Sequence, residues 1–431
     1  VREDTAPGGA GARRPTFRHG LTAGLSVAGL VALCSAGAWV LVPRDAPAAR
    51  TAAGVAPTPA ATAGAATPAP TVVAGPAADA GEEAAGEGAA DEEAAGEGAA
   101  GEDDVEAATG AAAAGAASPT AEGLPVPELV TCPAPTARVT SAAELSEALQ
   151  DARPGDVVHL ADGTYEGNFA ATASGTADDP VWLCGGRGAV LDAGGPKEGY
   201  GFHLDGASHW RLVGFTVRNA QKGVVADGST GSVLQDLLVE RIGDEAIHLR
   251  SHSTRNSVLR NTVRDTGLRR EKFGEGVYVG SAQSNWEKYG AGGPDRSDGN
   301  VVAWNDIART TSESVDVKEG TTGGLLLENV FDGTGMVESD SWVDVKGNGW
   351  TVRGNTGRNT PDQGFQTHRI LDGWGAGNTF DDNVLDVPDG AVAIYVHDPD
   401  VTGNVITCSN RDSGGHPVTS TVPCSGGSSR P

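Results

Sequence analysis

Along the C-terminal two thirds of the chain, two apolar residues separated by a single position recur as a short unit. The pairs are Phe202 and Leu204, Val224 and Ala226, Ile247 and Leu249, Val277 and Val279, Val315 and Val317, Val343 and Val345, Phe365 and Thr367, and Ile394 and Val396. Most steps between units are 22 to 30 residues; the step from Val277 to Val315 is 38 and contains the polar stretch 281–299. A second marker keeps the same beat: Asn261, Asn305, Asn329, Asn355, Asn383 and Asn404 each precede another strand-like run, with Asp236 in the earlier slot. Alternation with a period of two argues for strands over helices. A repeat of this length with several strands per unit predicts a solenoid, and a propeller blade would need a longer unit of about 40–45 residues. The expected fold is all-β, a parallel β-helix in which Val, Ile and Leu stack inward and Asn side chains bond from rung to rung at a repeated turn. Ahead of it, Thr140 or Ser141 with Glu144 reads as a capping box. The Leu145, Ala148, Leu149 spacing predicts a short amphipathic helix stopped by Pro154-Gly155, with a strand following over 157–160.

The first 123 residues follow other rules. Residues 21–42 carry no charge over 22 positions, long enough to cross a hydrocarbon core as a helix. Arg13, Arg14 and Arg18 precede the run and favour a cytoplasmic N-terminus over 1–20. The run serves either as a membrane anchor or as a signal peptide, the small residues Ala36, Gly37 and Ala38 keeping cleavage open. Both readings carry the rest of the chain out of the cytoplasm, to the cell surface or into the medium. Residues 43–123 are rich in Ala, Pro, Gly and Glu, with EEAAGEGAA at 82–90 repeated at 92–100; so few large apolar residues predict a disordered linker. The β-helix domain is then 124–431.

Charge narrows the partners. Residues 51–123 hold 13 acids and no base, and 124–431 hold 41 acids against 25 bases, within a net charge of −26. That balance argues against nucleic acid, and the expected domain is a monomer. Four cysteines lie beyond the apolar run. Of their three possible pairings, Cys132 with Cys184 and Cys408 with Cys424 is the most local.

If the paired apolar residues point inward, their neighbours point outward and stack at about 4.8 Å per rung. One outward column then reads His203, Val225, His248, Tyr278, Asp316, Asp344, Gln366, Tyr395. The next reads Asp205, Asp227, Arg250, Gly280, Lys318, Lys346, His368, His397. An ordinary solvated face would show more Thr, Ser and Asn, so this face is a candidate for binding or catalysis. In a third column Glu245, Glu275 and Glu313 each lie two residues before the first inward residue of their rung. Stacked carboxylates repel unless a Lys, an Arg or a divalent cation lies between them, and calcium (Ca2+) is the expected occupant.

At this point the chain resembles a known superfamily. GDVVHLADGTYEG at 155–167, after a capping helix and before stacked Asn-bearing coils, is similar to the opening of pectin-lyase-like right-handed β-helix proteins. The resemblance spans roughly 136–410 and implies a right-handed, single-stranded parallel β-helix. Within the superfamily, ESVDVKE at 313–319 resembles the active-site rung of the chondroitinase B and alginate lyase branch, where a calcium-binding Glu precedes the catalytic Lys by five residues. That implies Glu313 as a calcium ligand and Lys318 as the base. The branch's Arg one rung on has no strict counterpart, Lys346 lying near its place. Its Asn ligand is missing, with Glu275 the nearest substitute.

The expected function is cleavage of an acidic, uronate-containing polysaccharide by calcium-assisted β-elimination. Lys318 is the expected base, with Lys346, Arg250, His248 and Tyr278 positioning or protonating the substrate and Asp316, Asp344 and His368 lining its site. A glycoside hydrolase using Asp316 and Asp344 and a non-catalytic glycan-binding adhesin are the alternatives.

Overall fold

The computed structural model describes residues 128–426. The expected apolar span at 21–42 and linker at 43–123 lie outside them. Among the described residues no helix is long and apolar enough to cross a membrane.

Three parallel sheets run side by side along the winding. The first has 11 strands, from Ala137–Val139 to Val405–Ile406. The second has 9, from Gly163–Glu166 to Val384–Leu385, and the third has 9, from Phe169–Ala171 to Ile394–Val396. Successive strands visit the sheets in turn, and each pairs in parallel with its equivalent one rung away, as Val224–Ile247, Val277–Val315 and Val315–Val343 do in the third sheet. The alternation read from the sequence is the register observed. Phe202, Val224, Ile247, Val277, Val315, Val343, Phe365 and Ile394 form one fully buried stack through the core.

Asn side chains tie the rungs at the turn between the first and second sheets. Asn261 donates from Nδ2 to Asn305 Oδ1 at 3.0 Å, Asn305 to Asn329 at 2.9 Å, Asn329 to Asn355 at 2.9 Å, Asn355 to Asn383 at 3.1 Å and Asn383 to Asn410 at 2.8 Å. Two expected members are corrected. Asn404 belongs to a second turn, accepting from Asn378 N at 2.8 Å, and Asn410 takes its expected place. Asp236 is one position early: Leu237 N donates to Asn261 Oδ1, so Leu237 fills the slot. Asp236 instead occupies the left-handed position before it, with φ 57°, matched by Arg260 at 53° and Trp304 at 59°. A turn with one positive-φ residue favours Asn and Asp, which is why Asp236 imitated the marker.

The helix spans Ala142–Gln150. Ser141 Oγ accepts from Glu144 N, and Glu144 Oε2 accepts from Thr140 N at 2.6 Å. It lies against the first strand of each of the three sheets, with Leu145 and Leu149 buried in the core. Cys132 is bonded to Cys184 and Cys408 to Cys424, the local pairing expected.

Candidate active site

The outward face of the third sheet carries the chemistry. Strand register aligns His248, Tyr278, Asp316, Asp344 and Gln366 in one column, because each lies between two inward, buried residues of its strand. Backbone bonds from Ala246 N to Glu275 O and from Gly276 N to Glu313 O align the third column at Glu245, Glu275 and Glu313.

A chain of alternating charge runs through the middle. Lys318 Nζ lies 2.9 Å from Asp316 Oδ2, and Lys346 Nζ lies 3.1 Å from Asp316 Oδ1 and 3.0 Å from Asp344 Oδ2. Asp344 Oδ1 lies 2.8 Å from His368 Nδ1. Lys318 Nζ also sits 5.1 Å from the centroid of the Tyr278 ring. Burial alone would lower the Lys346 pKa, but Asp316 and Asp344 outweigh it and push it above the ordinary lysine value. Burial would raise Asp344, yet Lys346 and His368 hold it well below the usual carboxylate range. His368 is raised, Asp344 again outweighing burial.

Glu275, Glu313 and Asp316 bring ligand oxygens within 4.8 Å of one another. Burial, with Glu245, Glu313 and Asp316 nearby, pushes the Glu275 carboxyl well above its usual range; burial and Asp316 push Glu313 up. Glu275 Oε2 is buried with no hydrogen-bond partner. An orphaned buried carboxylate oxygen among like charges is costly, and an all-oxygen donor set suits a hard divalent cation. The residues present therefore fit calcium, which Glu275, Glu313 and Asp316 would hold, Asp316 being also the partner of Lys318 and Lys346.

Two expected members lie elsewhere. Glu245 is not part of this cluster: its Oε1 is 2.9 Å from Lys222 Nζ and 3.7 Å from His248 Nδ1. Arg250 is not beside Lys318. Its Nε donates to Asp227 Oδ1 at 2.7 Å, its Nη2 to the Tyr200 hydroxyl at 2.9 Å, and its guanidinium lies 4.0 Å from the Tyr289 ring centroid. His248 is buried beneath Tyr278, the ring centroids 4.4 Å apart, and its Nε2 is 3.0 Å from Gly280 O. Burial, then Lys222 and Arg250, hold its pKa well below the ordinary value, so it is a neutral support whose Nε2 donates to that carbonyl. Lys222 had a legible signal, since it stands one rung before Glu245 in the same column. Tyr200, two residues before Phe202, had the same one.

The insertion 281–299 walls one side of this face. Asp295 is fully buried and accepts from Ser251 N, His252 N, Ser281 Oγ and Ser297 Oγ, while Gln283 N donates to Glu319 Oε1.

No family model and no curated protein matches the chain. Among solved structures, an alginate lyase from Paenibacillus sp. strain FPU-7 is 32% identical with a TM-score of 0.61, over 67% of this chain and 98% of that one. The pectate lyase Pel9A is 14% identical with a TM-score of 0.44, over 68% and 82%. A polygalacturonase from Erwinia carotovora ssp. carotovora is 13% identical with a TM-score of 0.41, over 69% and 98%.

Proposed function

The chain belongs to the pectin-lyase-like superfamily of parallel β-helix proteins, and from that premise we propose that it is a polysaccharide lyase cleaving a uronate-containing polymer by β-elimination outside the cytoplasm. The observation that carries the reading is Lys318, poised between Asp316 and Tyr278 beside the Glu275–Glu313 carboxylates. The two disulfides suit an oxidising compartment, and the 32% identity to an alginate lyase supports the reaction class.

β-Elimination removes the proton on the carbon beside the uronate carboxylate and expels the neighbouring glycosidic oxygen. Lys318 takes that proton at Nζ, and the Tyr278 hydroxyl returns one to the leaving oxygen. Lys346 shares the charge of Asp316 and Asp344, so two carboxylates face the basic groups of Lys318, Lys346 and His368. One of those groups can therefore lack its proton without leaving a carboxylate unpaired. Glu275, Glu313 and Asp316 would hold calcium, which would supply neutralisation of the substrate carboxylate. Hydrolysis by Asp316 and Asp344 is the weaker reading, because it needs one of the pair kept protonated as an acid, whereas Lys346 and His368 hold Asp344 ionised and both oxygens of Asp316 face lysine ammoniums.

The test incubates the full chain with uronate polymers, with and without a chelator, and follows the ultraviolet absorbance of unsaturated uronate. Reducing ends without that absorbance would mean hydrolysis; binding without either would mean an adhesin.

A further inference from the structure

The charged column does not stop at Lys346. On the next two rungs backbone bonds from His368 N to Val345 O and from His397 N to Thr367 O continue it. The two imidazoles stack with centroids 3.9 Å apart and planes 26° apart, and Tyr395 flanks His397 at 4.5 Å. All three rings are half-buried, so they form a partly open aromatic floor. His368 turns Nδ1 to Asp344, which leaves Nε2 as the ring nitrogen pointing away from that carboxylate. His368 stands two rungs from Lys318, about 10 Å along the column, beyond the reach of one pyranose ring.

Resting on the lyase reading above, we propose that His368, His397 and Tyr395 form an accessory subsite for a second uronate of the polymer. His368 Nε2–H donates to that sugar's carboxylate, and the His397–Tyr395 pair receives the apolar face of its ring. A charge-assisted hydrogen bond supplies selection for an acidic sugar, and aromatic faces supply packing that does not depend on charge. Asp344 orients the His368 ring much as a carboxylate orients a metal-bound or catalytic imidazole.

The charged groups around His368 are Asp344, Lys346, Asp340 and His397, with Asp398 near His397. Burial lowers His368, and Asp344 more than restores it. His397 is lowered by burial and then by His368, which favours its neutral form as a stacking surface. With a raised folded value, His368 keeps its charge past the ordinary histidine value of about 6.5 and loses it as the pH rises further. Carboxylate binding should weaken in the same direction.

Calorimetry on the full chain carrying Lys318→Ala, which prevents turnover, tests this with a saturated hexauronate and a neutral hexaglucan at pH 6 and pH 9. The hexauronate should bind more tightly at pH 6 than at pH 9, and the hexaglucan should bind poorly at both. Adding His368→Gln should weaken hexauronate binding about tenfold at pH 6 and remove most of the pH difference. His397→Ala, or Tyr395→Ala if the former unfolds, should weaken binding at both pH values. Unchanged hexauronate binding in His368→Gln, equal binding of the neutral hexamer, or no hexauronate binding by the parent overturns the subsite. If binding is unchanged while the unsubstituted chain still releases unsaturated uronate, the subsite fails and the lyase reading stands.

Discussion

Lys346 places its ammonium 3.1 Å from Asp316, one rung before it, and binds Asp344 of its own rung with the same atom. One cation therefore joins two rungs of the sheet and pairs with two carboxylates. Removing one partner of a buried ion pair costs about 3–5 kcal/mol, because the remaining charge is stranded. Lys346→Met should therefore lower stability by about 3 kcal/mol in urea denaturation and abolish elimination. A variant that unfolds at the same urea concentration as the parent would show that solvent already satisfies both carboxylates.

In the proposed elimination Lys318 and Tyr278 divide the proton transfers, so their variants should differ in a diagnostic way. Lys318→Ala breaks the buried pair with Asp316, where Lys346→Met breaks pairs with both Asp316 and Asp344, so it should cost less stability than Lys346→Met while removing detectable elimination. Tyr278→Phe keeps the ring beside Lys318 and removes only the hydroxyl; kcat should fall about 100-fold or more with KM little changed. Retention of near-parental kcat in Tyr278→Phe would assign the acid to another group.

The face on which these residues lie was legible because strand alternation is strict. Asp316 and Asp344 are outward between buried valines, and the columns drawn from that rule match the pairing observed. What alternation does not contain is the choice of partner within a column. Glu245 looks equivalent to Glu275 and Glu313, yet Lys222 on the preceding rung pairs with it, and the carboxylate cluster takes in Asp316 from the neighbouring column. Arg250 shares a column with Lys318 and still turns to Asp227, because Gly280 on the rung between them offers no side chain. Register can be read from spacing; pairing depends on which long side chains reach which neighbours.

The Glu275–Glu313–Asp316 cluster gives a direct metal test. A chelator should lower both elimination and the thermal midpoint, and added calcium should restore both, since a ligand that binds only the folded state stabilises it. In Glu275→Gln the orphaned oxygen becomes a neutral amide group, and the chelator should no longer shift the midpoint. Elimination that persists unchanged in chelator would remove calcium from the mechanism while leaving Lys318 in its role.

Asp227 should govern acid stability at the other end of the face. Burial would raise its pKa, but the hydrogen bonds from His203 and Arg250 outweigh burial and hold it well below the usual range. Because the folded value is depressed, its contribution is present above the unfolded value of about 3.9 and is lost as the pH falls toward the folded one. Asp227→Asn should therefore lower the thermal midpoint most at pH 7 and somewhat less at pH 3, the gap widening as the pH falls further toward the folded value. An equal loss at both pH values would mean that the substitution acts through packing rather than charge.

The Asn turn links stability back to the site. Asn305 donates to Asn329 Oδ1 and Val258 O and accepts from Asn261 N and Nδ2, all within 3.0 Å and fully buried. Leu fits the slot sterically, since Leu237 occupies it one rung before Asn261. Leu237, however, leaves only the end of the ladder unextended, whereas Asn305→Leu would orphan donors and acceptors on both neighbours. Each unsatisfied buried group costs about 1–3 kcal/mol, so a loss of about 3 kcal/mol or more is expected in urea denaturation. The strand after Asn305, Asp306–Ala308, leads directly into the rung that carries Glu313 and Lys318. Loosening it should lower kcat as well as stability. A variant equally destabilised but with unaltered kcat would show that the site sheet keeps its register without the turn.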